Sequence, residues 1–127
     1  MNKTILIVDD MQFLADLVGR VTEIHGYKPK IAYNKEDGLK IYSENQPGIV
    51  LTDLQMPFGQ EGVELAQEIR KHEDNCRVQR AAIGLWTSAA ADFQNPPEGI
   101  DKVFFKEGKM DVIMNAVKEL EVLRYRV

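Results

Sequence analysis

The chain has 127 residues, 44% of them hydrophobic and 28% charged, a size and balance that suit one globular domain with a single buried core. Sixteen basic against twenty acidic side chains leave a net charge of −4, which argues against the basic patch that direct nucleic-acid binding requires. No apolar run approaches the ~20 residues that span a bilayer, and the amino terminus has no secretory signal pattern. With Cys76 the lone cysteine, no internal disulfide can form and a reduced, cytoplasmic setting is expected.

Along the chain, short apolar runs alternate with segments of helical period. Ile5-Leu6-Ile7-Val8 is continuously aliphatic, as expected of a central strand buried on both faces, and it runs into Asp9-Asp10. Leu14, Leu17, Val18 and Val21 then repeat at helical spacing up to the turn signal His25-Gly26. The second strand, from about Lys28 to Ala32, carries Pro29 between two lysines. Proline cannot donate to a ladder and lysine blunts an open edge, so this strand belongs at the sheet edge. After Gln46-Pro47-Gly48, the run Ile49-Val50-Leu51-Thr52 closes on Asp53, and Leu65 and Ile69 mark the next helix. The run Ala81 to Trp86 closes on the hydroxyls of Thr87 and Ser88. Asn95-Pro96-Pro97-Glu98-Gly99 leads to Val103-Phe104-Phe105, which closes on Lys106; Ile113, Ala116, Val117, Leu120 and Leu123 form the last helical stripe.

This alternation predicts an α/β fold over residues 1–127 as a single domain: a doubly wound five-stranded parallel sheet with helices on both faces. An edge second strand beside a central first strand fits the order 2-1-3-4-5. The fourth helix is expected to be shortened, to Ala89–Gln94 at most, because a proline pair does not sit inside a helix.

In an open parallel sheet the carboxyl ends of the strands share one edge, where ligands bind. Here that edge receives Asp9, Asp10, Asp53, Thr87, Ser88 and Lys106. Taken singly, Asp9-Asp10 reads as a helix cap, Asp53 as a strand exit and Lys106 as a solvated lysine. Taken together, they outline a metal-and-phosphate site. His25 and His72 are set aside for want of a partner at metal-ligand spacing. Trp86 is expected in the core, facing away from the site, and no glycine-rich phosphate loop is present.

The motifs Leu6-Ile7-Val8-Asp9-Asp10, Asp53-Leu54-Gln55-Met56-Pro57, Thr87-Ser88 and Gly99-Ile100-Asp101-Lys102 leading to Lys106 resemble the receiver domain of bacterial two-component response regulators. The resemblance runs from Lys3 to about Arg124. It implies Asp53 as phosphoacceptor, attacking the phosphorus of a phosphohistidine. It implies Mg²⁺ held by Asp9, Asp10 and Asp53 with the Gln55 backbone carbonyl, and Lys106 and Thr87 set against phosphoryl oxygens. The implied partners are a histidine kinase or histidine phosphotransfer protein and a downstream protein target, with neither nucleic acid nor membrane. Such a domain catalyses only its own phosphorylation and dephosphorylation. Two alternatives stand beside it: a receiver excised from a longer hybrid kinase or regulator, and a small Mg²⁺-dependent aspartate-nucleophile phosphohydrolase. The latter usually has a second aspartate where this chain has Gln55.

The chain departs from the family pattern in several places. Glu107 replaces the proline after Lys106, and without proline a cis bond costs roughly 2.5–4 kcal/mol, so a trans bond and a displaced Lys106 ammonium are expected. Val103 occupies the usual aromatic switch position, with Phe105 on the same strand face. The turn from Met56 to Gly62 is one residue longer than usual, and Gln55 and Ala89 are the variable positions flanking the site.

Overall fold

Each aliphatic run read from the sequence becomes a parallel strand. The computed structural model describes residues 2–56, 59–88, 90, 93–106 and 109–124. Strands β1 (Thr4–Val8), β2 (Lys28–Ala32), β3 (Ile49–Asp53), β4 (Ala82–Thr87) and β5 (Lys102–Phe105) form one sheet in the order β2-β1-β3-β4-β5. Helices α1 (Gln12–Ile24), α2 (Lys35–Asn45), α3 (Glu61–Cys76) and α4 (Met110–Arg124) cover it.

Alternation along the strands builds two cores. Ile5, Ile7, Ile49 and Leu51 pack with Val18 and Val21 of α1 and with Ile113, Val117 and Leu120 of α4. Leu6, Val8 and Val50 face the other way, onto Tyr42 of α2 and Leu65 and Ile69 of α3. Each such side chain contributes about 1.5–3 kcal/mol on full burial, so the central strands give the site a rigid floor. Trp86 lies in the core as expected, in the cluster with Ile113 and Met114.

The two sheet edges differ. At β2, exposed Lys28 and Lys30 flank Pro29, as expected for a guarded edge. At β5, the lead-in from β4 is short of helix, in keeping with the expected shortening. Among the described residues no α-helix lies between β4 and β5; Ala90 is in 3₁₀ conformation, and the Phe93 N–H donates to the Ala90 carbonyl at 3.1 Å. Ala89, Ala91 and Asp92 of the expected short helix lie outside the described residues. Pro96-Pro97 is non-helical, and the chain turns at Gly99, whose φ of 92° is open to glycine, with the Ile100 N–H donating to the Pro97 carbonyl at 3.0 Å.

Arg70 of α3 holds that lead-in. It donates to the carbonyls of Gly99 (3.1 Å) and Ala81 (2.8 Å) and to the carboxylates of Glu73 (2.8 Å) and Asp101 (2.9 Å). Glu73, 4% exposed, also accepts from the Ala81 N–H and the Tyr42 hydroxyl, both at 2.7 Å. Asp101 also accepts from the Ile83 N–H at 2.8 Å. Side-chain charges thus tie the start of β5 to α3 and β4.

Candidate functional site

Parallel register brings the functional side chains together at one sheet edge. Val8 pairs with Thr52 and Asp53 with Trp86, so Asp9 and Asp53 end neighbouring strands at one level and Thr87 lies one residue beyond. Asp10, Asp53, Gln55, Thr87, Ser88 and Lys106, with Met11 and Leu54, line one open cleft of about 410 Å³. The expected site residues therefore converge, with Asp9 on the floor. One oxygen from each of Asp9, Asp10 and Asp53 lies within 4.8 Å of the others. An all-oxygen donor set of carboxylates open to water is the chemistry that suits Mg²⁺, and the residues present fit it.

The helix-cap reading of the two aspartates does not hold. The N-cap of α1 is Met11, and no side chain caps that helix. Asp9 instead accepts from the Met11 N–H at 2.9 Å, which turns its carboxylate inward, while Asp10 is exposed at the mouth of the cleft.

Lys106 is the cation of the cluster. Its Nζ lies 2.8 Å from Asp9 Oδ2 and 3.2 Å from Asp53 Oδ1. The ammonium thus reaches both carboxylates. The Lys106 N–H donates to the Thr87 carbonyl at 2.9 Å, which carries the β4–β5 pairing one residue further and aims the side chain inward. The Lys106–Glu107 bond expected to be trans, Ala89, and the Pro57-Phe58 part of the lengthened turn lie outside the described residues.

Electrostatics follow from this crowding. Burial raises the Asp53 carboxyl above its ordinary value, the neighbouring Asp9 charge raises it further, and Lys106 only partly offsets them. Burial alone would lower the Lys106 ammonium; its hydrogen bond to Asp9 and the charges of Asp9 and Asp53 outweigh that and leave it raised. Three carboxylates share one ammonium, and the surplus negative charge invites a cation.

Gly62 is a positional requirement that the sequence reading passes over, placing it only in the turn. A Cβ there would sit 1.9 Å from the Asp53 carbonyl oxygen, and the Gly62 N–H donates to the Leu54 carbonyl at 2.9 Å. Only glycine lets the first turn of α3 close against the backbone that presents Asp53. A glycine one residue into a helix was the available signal.

On the other strand face, Val103 packs against the α2–α3 core, while Phe105 is 52% exposed. The two residues of that face thus occupy different surroundings.

Residues 5–118 match the family model of the response regulator receiver domain. Among solved structures, the chain is similar to response regulator TrrA from Thermotoga maritima in complex with Mg²⁺-BeF. The two are 28% identical over 93% of this chain and 98% of that one, with a TM-score of 0.78. In fold it is similar to a CheY-like receiver domain protein from Methanospirillum hungatei, 22% identical over 98% and 97% of the two chains, TM-score 0.77. It is likewise similar to chemotaxis response regulator CheY4 of Vibrio cholerae, 16% identical over 94% and 99%, TM-score 0.78.

Proposed function

The chain belongs to the response regulator receiver domain family, and from that premise we propose that it accepts a phosphoryl group from a phosphohistidine onto Asp53 in a Mg²⁺-dependent step. The observation that carries this reading is the surplus of carboxylate over ammonium in the cleft, with Asp9, Asp10 and Asp53 grouped around Lys106.

Asp53 is the nucleophile. Its Oδ1 already accepts from the Leu54 N–H at 2.9 Å and faces Lys106, so Oδ2 keeps lone pairs for attack. The O–P bond forms as the N–P bond breaks, and the leaving imidazole keeps the electron pair. In-line displacement of this kind depends on position and charge neutralisation more than on covalent chemistry. Asp9, Asp10 and Asp53, with the Gln55 backbone carbonyl, would hold Mg²⁺, which would supply neutralising charge for the phosphoryl oxygens. Lys106 turns from Asp9 toward a phosphoryl oxygen as a point charge, and the Thr87 hydroxyl donates to another. Exposed, small Ser88 leaves the approach to Asp53 open.

On this reading the domain is a switch or relay between a histidine kinase or phosphotransfer protein and a downstream protein target. With no α-helix among the described residues between β4 and β5, its partner surface leans on α4 and the β4–β5 connection. Phosphotransfer from a labelled donor tests the assignment. The wild type should take up one acid-stable, base-labile label per chain, and Asp53→Asn should take up none. Label retained in that variant overturns it.

A further inference from the structure

Trp86 is the one tryptophan of the chain and the last but one residue of β4, directly before Thr87. Parallel register pairs it with Asp53 on one side and with Phe104 on the other. Paired residues of neighbouring strands point to the same face of a sheet. The ring therefore stands beside Asp53 on the face that α1 and α4 cover, which corrects the expectation that it faces away from the site.

Two further observations set this residue apart. Trp86 is 6% exposed, yet its indole Nε1 is buried with no hydrogen-bond partner. A buried indole N–H normally finds an acceptor, because leaving it dry costs the desolvation of the donor. The ring also packs in the cluster that holds Ile113 and Met114 of α4. Two residues earlier on the same face, a Cβ on Gly84 would lie 2.8 Å from Leu120 Cδ1 and 2.8 Å from Phe104 Cε2. Helix α4 thus seats on β4 without slack, and a close-packed contact passes a displacement on rather than absorbing it.

We infer that Trp86 carries the state of the cleft to α4, an inference that rests on Asp53 being the phosphoacceptor. In the unloaded protein the indole donor is unanswered, so this arrangement holds a penalty that a second arrangement can release. A phosphoryl group on Asp53 brings new acceptor oxygens to the row in which Trp86 is the next residue. Turning the indole N–H toward that edge answers the donor. The ring's movement then displaces Ile113 and Met114, and with them the first turns of α4. Loaded cleft and shifted helix favour one another, since a ligand shifts a conformational equilibrium by its differential interaction with the two states.

The indole ¹H–¹⁵N cross-peak, of which the chain has one, tests this in the full chain with Mg²⁺ and beryllium fluoride. It should move downfield as the N–H gains an acceptor, saturating together with the Asp53 and Thr87 amides. The amides of Val117 and Leu120, further along α4, should shift with it. Trp86→Phe keeps an aromatic ring and removes the N–H. In that variant Mg²⁺ alone should bind as in the wild type, apparent affinity for beryllium fluoride should fall about fivefold, and the α4 shifts should shrink. A Trp86 that serves packing alone would leave the α4 response whole in Trp86→Phe, and that result overturns the inference. An indole peak that stays still in the wild type while Asp53 and Thr87 respond also overturns it, and needs no variant. A wild type in which Asp53 and Thr87 themselves do not respond overturns the phosphoacceptor reading along with it.

Discussion

The molecule holds two clusters of buried charge, and they are built on opposite principles. Around Arg70 every charge is answered: its guanidinium meets Glu73, Asp101 and two carbonyls, and Glu73 is further bonded to Tyr42 and the Ala81 N–H. Around Lys106 the charges are out of balance, with Asp9 and Asp53 on one ammonium and Asp10 beside them. A balanced cluster resists change, because removing any member strands a buried charge. An unbalanced one carries surplus negative charge that a cation can answer and, on the proposed reading, is completed by a phosphoryl group. The first fixes the frame of β5; the second is placed to respond.

Breaking the balanced cluster should have the largest effect on stability. Arg70→Ala leaves Glu73 and Asp101 without their shared partner. Loss of one partner of a buried pair costs about 3–5 kcal/mol, and the lower figure applies because the Asp101 side chain is 23% exposed. Urea denaturation should show that loss as a lower midpoint at unchanged slope. A change below about 1 kcal/mol, the scale of a surface pair, would show that the cluster is ornamental.

Completing the unbalanced cluster should work in the opposite direction. At 100 times its dissociation constant, Mg²⁺ should add about 2.7 kcal/mol, read as a raised melting midpoint that Asp10→Ala abolishes. An unchanged midpoint in the wild type would remove the metal from the account.

A smaller effect sharpens the same contrast through pH. Because the folded protein raises the Asp53 pKa, the ionised carboxylate costs stability at neutral pH, and that cost disappears as pH falls through the folded value toward 3.8. Asp53→Asn should therefore melt above the wild type at pH 7, and the gap should close in acid. A gap that widens as pH falls would reverse the sign of the argument.

Much of this was legible in the residues. Pro29 between lysines marked the β2 edge, the aliphatic run Ile5–Val8 marked the centre, and strand ends carrying Asp9, Asp53 and Lys106 marked the cleft. The shortening before β5 followed from Pro96-Pro97, but its extent did not. The Arg70 cluster was hidden because its members lie on three segments of chain and each alone reads as a surface charge. Lys106 reaches Asp9 with its N–H held on the Thr87 carbonyl, a long-range pairing that the residues around it in sequence do not announce. Gly62 gave a signal that local turn chemistry masked.

On the proposed reading the charge-unbalanced edge, and not the balanced cluster, receives the phosphoryl group. The most direct test of that reading is the amide and side-chain NMR spectrum of the full chain with Mg²⁺ and beryllium fluoride, a phosphoryl mimic. One saturable site is expected, with the largest shifts at Asp9, Asp10, Asp53, Thr87 and Lys106. Arg70 and Glu73 should be nearly still, and Asp53→Asn should show none of the fluoride-dependent change. The same shifts in Asp53→Asn, or shifts centred on Arg70, would contradict it.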